Sequence, residues 1–293
     1  MGKFVSILCG SLVVLALAGC GEDAGASGQP TVRLAVTEMK GLEQLQREFG
    51  AFETELEKAA DVELELFPVS DRAAAAAALV SEQVDLVFTG PAEYVVMAAK
   101  SKVVPVIGIR RPGYSSCIWT SSDSGVTALA DLKGETVAME DVGSTSAHLG
   151  PSQILADAGI DPESDLEVKF VGGAMQEALK RGDVAAVGAG CHDYEEFKSE
   201  GKAADFKLLE HGPQLPDDVI LARAGLDEQV IDRLRTAFEE GWPELRSAMV
   251  KGEENEKFAE ATLVAKPVDE DYDVVRSMYQ TVGVNDFTEF VGD

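Results

Sequence analysis

From residue 31 onward, apolar and polar positions follow two periods that take turns along the chain. Residues 31–37, TVRLAVT, read as a strand, and 41–60 predict a helix with Leu42, Leu45, Phe49, Phe52 and Leu56 at helical spacing. Residues 62–68 alternate like a strand, 71–83 are helical, 85–90 form a buried-type strand ending at Gly90-Pro91, and a further helix begins at 94–100. Strand, helix, strand, helix, strand predicts a parallel sheet with crossover helices, and ligands of such sheets bind beyond the carboxyl ends of the strands. Three strand ends are therefore candidates: Thr37-Glu38, Val69-Ser70 and Thr89-Gly90.

The pattern restarts after a break. Residues 103–125 hold two strands separated by a Pro112-Gly113 turn, and 135–139 form an apolar strand leading to a helix that runs to about 158. Strand, helix, strand recurs at 166–172, 175–181 and 184–190; residues 206–223 are extended, and helical patterns follow at 226–245, 255–261 and 272–282. Extended crossings near 115–121 and 206–212 would join two α/β lobes.

Between the strand at 135–139 and its helix stands EDVGSTSAHLGPSQ, residues 140–153. Three consecutive hydroxyl residues, Ser144, Thr145 and Ser146, thus open a helix, where unsatisfied N–H groups and the positive end of the macrodipole face outward. Such a start can hold an oxyanion without a cationic side chain. Read alone, the segment fits equally a plain N-cap at Ser144 or Ser146.

The N-terminus departs from both periods. Lys3 precedes an apolar run, residues 4–18, ending in LAGC at 17–20. That run is too short and too interrupted by Gly and Ser to span a membrane as a helix, and it resembles a bacterial lipobox. The resemblance implies a signal peptide over 1–19, a lipidated Cys20 and a flexible tether over 20–30.

Charge narrows the partners. The chain carries 25 basic and 52 acidic residues, a net charge of −27, and loss of residues 1–19 removes one lysine and no acid. Nucleic acid is excluded as a partner, because its phosphates need a basic footprint. An anionic ligand approaches against the mean field, so its site must be recessed and built from short-range donors. Only 3 histidines are present, with no GxSxG elbow, HExxH helix or phosphate-binding Walker loop, and the Asp217-Asp218 pair follows Pro216 in a loop. The chain reads as a binder without cofactor or metal, not an enzyme.

VDLVFTGPAEYVVMA at 84–98, DLKGETVAMEDVGSTSAHLGPSQIL at 131–155, EALKRGDVAAVGAG at 177–190 and GPQLPDDVILARAGL at 212–226 resemble, in order and spacing, the phosphate, phosphite and phosphonate-binding proteins of ABC importers. The resemblance implies an α/β, two-lobe hinged fold of the type II periplasmic binding proteins, each lobe a mostly parallel sheet flanked by helices. Lobe 1 would comprise 31–114 plus 212–293, and lobe 2 residues 115–211. It further implies that Ser144, Thr145 and Ser146 cradle the oxyanion, that Tyr94 closes over it from the other lobe, and that the partner is an ABC permease. A membrane sensor kinase is the alternative partner, with an oxyanion such as arsenite as its cue.

In two places the chain departs from that family. Relatives carry a histidine before the EAL helix where this chain has Ala174 and Met175, and Arg72 stands where they carry tyrosine. Arg72 could supply the missing cation or be a solvated residue at a helix start. His148 and His192 are the remaining imidazole candidates, though a lone histidine near a loop is more often structural than ligand-binding; Thr89 and His192 complete the candidate ligand set. Cys9 leaves with the signal and Cys20 with the lipid, so Cys117 and Cys191 remain. In the implied fold their strands are antiparallel neighbours beside the cleft, and the pair forms either a disulfide or a thiol site.

Overall fold

The computed structural model describes residues 28–37, 39, 41–199 and 205–292. The leader, the lipobox cysteine Cys20 and the tether as far as residue 27 lie outside the described residues, as does Glu38. Among the described residues no helix is long and apolar enough to cross a membrane.

The first half runs β1 (Thr31–Val36), α1 (Leu42–Ala60), β2 (Glu63–Leu66), α2 (Arg72–Val80), β3 (Leu86–Thr89), α3 (Pro91–Lys100) and β4 (Val104–Arg110). Then come β5 (Ser115–Ser121), β6 (Thr136–Met139), α4 (Gly150–Asp157), β7 (Glu167–Phe170), α5 (Met175–Arg181), β8 (Ala186–Gly190), α6 (Cys191–Ser199) and β9 (Phe206–Gln214). The chain ends with β10 (Asp218–Ala222), α7 (Glu228–Met249), β11 (Thr262–Val264) and α8 (Asp273–Thr281).

Two sheets organise these elements. The first has the order β11-β4-β10-β3-β1-β2, the second β7-β6-β8-β5-β9. Both are mixed rather than mostly parallel. β1 pairs in parallel with β2 and β3, but β10 runs antiparallel to β3 and β4, and β11 antiparallel to β4. In the second sheet β6 is parallel to β7 and β8, while β5 is antiparallel to β8 and β9. The reversed strands flank the two passages between the sheets, where a strand arriving from the other lobe enters without a crossover helix to restore its direction.

Each sheet is covered on both faces. Leu45, Phe49, Phe52 and Leu56 of α1 pack with Leu234, Phe238 and Leu245 of α7 over one face of the first sheet. The other face meets the alanine run of α2, together with α3 and α8. Alanine side chains let α2 lie close to the sheet without displacing the larger Tyr94, Met97 and Tyr279. The second sheet has Trp119, Val187 and Met175 on one face and Ile118, Met139 and Leu155 on the other. The C-terminal segment touches both halves: Tyr279 donates to the Ala92 carbonyl at 3.2 Å, and Thr281 donates to Gln153 of α4 at 2.7 Å.

Candidate functional site

A cavity of about 540 Å³ lies between the two sheets at the carboxyl ends of β1, β3, β6 and β8. Its first-lobe wall carries Thr37, Asp71, Arg72, Gly90, Glu93, Arg111, Tyr114 and Lys257; its second-lobe wall carries Glu140, Asp141, Val142, Ser144, Thr145, Ser146 and His192.

The second-lobe wall follows from a local sequence conflict. Gly143 takes a positive φ of 80°, turning the chain from β6 into the hydroxyl run. A β-carbon on Gly143 would stand 3.1 Å from Arg72 Nη1, so the glycine also lets the two lobes approach. Ser144 then caps the turn, its hydroxyl accepting from Ala147 N at 3.3 Å. Residues Thr145–Leu149 form a π-helical turn rather than the first turn of a plain α-helix. Pro151 causes this in part: it has no N–H to offer the Ala147 carbonyl, which instead accepts from Glu140 N at 3.3 Å. Ser116 of β5 donates to the Ser146 carbonyl at 2.9 Å and fixes the turn to the sheet.

Thr145 reaches the other lobe. Its hydroxyl oxygen accepts from Ala92 N at 3.0 Å, the first available amide of α3, because Pro91 precedes it. Two helix starts thus face one another and share a hydrogen bond across the cleft.

The first-lobe wall is built from paired charges. Asp71 caps α2 by accepting from Ala74 N at 2.7 Å, which together with the Ser70 hydroxyl holds its carboxyl below the usual range. Arg72, the next residue, lies 3.3 Å from buried Glu93. Arg111 grips Asp218 with Nε to Oδ2 at 2.6 Å and Nη2 to Oδ1 at 2.9 Å, and stacks at 3.5 Å over the Tyr114 ring. Beneath this wall a recess of about 20 Å³ is walled by Val36, Met39, Phe49, Phe88 and Phe258, with Thr37, Gly90, Arg111 and Lys257 at the opening it shares with the cleft. It has room for about one water-sized group.

Of the residues expected from sequence, the structure brings Ser144, Thr145, Ser146, Arg72 and His192 to the cleft. Thr89 lies one layer below, its hydroxyl 3.2 Å from that of Thr37. Tyr94 is not there. Its hydroxyl donates to Asp269 at 2.9 Å and its ring lies 3.9 Å from that of Tyr272, so burial and the Asp269 carboxylate raise its pKa well above the usual phenol range. One turn into α3, its side chain points back into the first lobe, and Tyr114 is the aromatic ring that the cleft meets. His148 accepts from Gly143 N at 2.9 Å and stands edge-on to Phe170. Burial, reinforced by the charge of Arg72, lowers its pKa to about 4 and keeps it a neutral structural acceptor. Behind exposed His192, burial and Glu196 push Asp193 up to about 6. Cys117 and Cys191 form a disulfide with Cα atoms 4.9 Å apart; Cys117 lies on β5 opposite Ala189 of the antiparallel β8, but Cys191 is not on a strand and instead opens α6 directly after β8.

Sequence reasoning missed Arg111, Tyr114, Lys257 and Asp218. Asp217-Asp218, read as a loop, instead meets Arg110-Arg111 residue for residue, Asp217 pairing with Arg110 at 2.9 Å. Two adjacent arginines and two adjacent aspartates at strand ends were the available clue.

A cleft between two mixed α/β sheets is shared by many binding proteins, so the comparison with known sequences decides among them. The profile of the family described as "ABC transporter, phosphonate, periplasmic substrate-binding protein" matches residues 34–261. The chain belongs to this phosphonate-binding family. As a member it is a periplasmic substrate-binding protein of an ABC transporter, and not an enzyme. It is 27% identical, over 94% of each sequence, to the phosphate-import protein PhnD of Mycolicibacterium smegmatis. In fold it resembles PhnD1 of Prochlorococcus marinus, solved with methylphosphonate (TM-score 0.65, 18% identity, 86% of this chain and 98% of that one). It is similar also to a binding protein of an ABC phosphonate transporter from Pseudomonas aeruginosa (TM-score 0.64, 18% identity, 85% of each chain). These likenesses place the fold with the type II periplasmic binding proteins.

Proposed function

We propose that the chain is a lipid-anchored lipoprotein that captures a small tetrahedral oxyanion of the phosphonate, phosphite or phosphate class and delivers it to an ABC permease. The observation that carries this reading is the pair of facing helix starts joined by Thr145 Oγ1 and Ala92 N. An oxyanion entering between them would exchange that one bond for several. Ser144, Thr145 and Ser146 would donate from the second lobe, the Ala92 amide from the first, and Arg72 would supply the cation that the missing histidine does not.

The lobes, 31–114 with 212–293 and 115–211, would close by hinge motion about the passages near 111–114 and 215–217. The recess below Thr37 would accept a substituent no larger than a methyl group. Cys20 would carry the lipid, and residues 20–30 would serve as the tether. The alternative of a thiol-based arsenite sensor has no free sulfur to use, since both cysteines of the described domain are bridged.

Calorimetry with phosphate, phosphite and methylphosphonate tests the reading. At least one should bind, and replacing Ser144, Thr145 and Ser146 together by Ala should weaken it at least about 100-fold, each bond to a charged group contributing about 1.5–3 kcal/mol. Unchanged affinity in the triple variant would remove the cradle assignment. A Cys20→Ser variant should lose membrane association; a wild-type protein recovered unlipidated would remove the anchor.

A further inference from the structure

Behind the cleft wall, on the second sheet, three soft donors meet. Cys117 of β5 lies directly opposite His211 of β9 in the strand pairing, and Cys191 opens α6 at the end of the adjoining β8. The two sulfurs and a ring nitrogen of His211 all lie within 4.8 Å of one another. The β5–β9 pairing is irregular on both sides of this position, with register shifts between Ser115 and Cys117 and between Ile118 and Trp119. Such shifts re-aim side chains, which a regular ladder would hold in alternation. Next to the histidine, Gly212 has no room for a side chain, because a β-carbon there would stand 2.9 Å from Ile154 and 3.1 Å from the Ser116 carbonyl.

The imidazole is placed by two contacts, Nδ1 with the Gly212 carbonyl and, more loosely, Nε2 at 3.5 Å from Ser115 Oγ. His211 Nδ1 lies 2.7 Å from the Gly212 carbonyl oxygen, which can only accept, so Nδ1 carries the proton and the neutral ring keeps its lone pair on Nε2. A backbone carbonyl behind the imidazole is the usual outer partner of a metal-binding histidine.

We propose that Cys117, Cys191 and His211 form a zinc-type metal site that the disulfide keeps closed and that reduction opens. A dithiol reductant passes two electrons and two protons to the bridge, leaving two protein thiols and its own disulfide. Binding of Zn²⁺ then displaces the two thiol protons to solvent as two Zn–S bonds form. The sulfurs need to separate to about 3.8 Å, the spacing set by Zn–S bonds of about 2.3 Å in a tetrahedral site. Two thiolates cancel the ion's charge, so the assembled site is neutral and suits cysteines that are 0% and 4% exposed. His211 is exposed, so the fourth position, filled by water, opens to solvent on its side.

The site is independent of the oxyanion reading. Its test uses the mature protein, oxidised and after treatment with a dithiol followed by its removal, with Zn²⁺ measured by chelator competition and Co²⁺ as a spectroscopic probe. The reduced protein should bind one Zn²⁺ per chain and give thiolate-to-cobalt charge-transfer bands, while the oxidised protein binds none at this strength. His211→Ala should weaken binding at least about tenfold, and Cys117→Ser with Cys191→Ser should abolish it. A folded, reduced protein with no zinc affinity above that of the double serine variant overturns the proposal, as does equal binding by the oxidised protein or by His211→Ala. If reduction alone loosens the fold, circular dichroism replaces affinity as the readout: Zn²⁺ but not Mg²⁺ should restore the native spectrum, and failure to do so also overturns it.

Discussion

On the first-lobe wall of the cleft the central polar groups are full charges held in pairs, Arg72 with Glu93 and Arg111 with Asp218. Facing them, the hydroxyl run of the second-lobe wall is uncharged, three hydroxyls at a helix start with a neutral histidine behind, although Glu140 and Asp141 stand beside it. Buried pairs are costly to desolvate and cannot be disrupted singly, so they make a rigid wall of fixed position. Neutral donors can turn toward an anion or toward one another, as Thr145 does with Ala92. The difference assigns stiffness to one wall and adaptability to the other in a protein whose overall charge repels anions.

The sharpest way to break this comparison is to remove one member of a buried pair. Arg111→Met should cost about 3–5 kcal/mol in urea unfolding, because Asp218, 4% exposed, is left as an uncompensated charge. A loss below about 1 kcal/mol would mean that the pair is not the wall's support.

On the second-lobe wall the corresponding experiment is acidification. His148 is held near 4 against an ordinary 6.5, so the unfolded chain takes up a proton first as the pH falls. Its contribution is complete above about pH 6.5 and is lost toward pH 4, by roughly 3 kcal/mol. Asp193 works in the opposite sense over much of this window: its folded pKa is raised from 3.8 to about 6, so its burial is least unfavourable in acid. His148→Asn, able to keep the bond from Gly143 N, should therefore abolish the acid-side loss and leave stability rising as the pH drops from 6 to 4. Chemical denaturation across pH 4–7 reads both slopes, and an unaltered profile would show that His148 titrates as it does in the unfolded chain.

Arg72 joins the two walls. Arg72→Ala should weaken oxyanion binding by about 1.5–3 kcal/mol in calorimetry, and Arg72→Lys by less, since a charge remains without the planar fork. Equal affinity in all three proteins would assign Arg72 to Glu93 alone. The smallest effect belongs to Thr145→Val, which removes the bond to Ala92 N and should lower ligand-free stability by about 1 kcal/mol. X-ray scattering should then show a more open ligand-free shape; an unchanged profile would mean that packing by α8 alone holds the lobes together.

Much of the fold is legible in the chain, because α1 and the strands around it carry strong helical or alternating periods. The hydroxyl run of Ser144, Thr145 and Ser146 is legible too, at a strand-to-helix junction. Tyr94 was not. Residues Pro91 to Met97 are buried on every side of α3, so its hydrophobic pattern gives no phase to show which residue faces the cleft. The mixed sheets were hidden because strand direction depends on which partners lie beside β10, more than 100 residues from β4. For the same reason nothing along the chain links Arg111 with Asp218, which become partners only because β4 and β10 lie side by side. The π-helical turn sits just before Pro151, whose missing N–H frees the Ala147 carbonyl, a local cue easily read as a normal first-turn proline.

The order of strands in the first sheet also has a consequence for how the protein is made. β10 lies between β3 and β4, so a growing or translocating chain that has delivered β1 to β4 still has two unpaired edges where residues 218–222 must enter. The second sheet has its own gap, between β6 and β5, but β8 fills it from within the unbroken stretch 115–214, and its disulfide closes within that stretch too. Every strand of the second sheet is therefore available before Asp218 emerges, while β3 and β4 wait for the distant β10. Until then their open edges are templates for pairing with neighbouring chains, which makes the interval between the emergence of Arg110 and Asp218 the period in which a chaperone has most to protect.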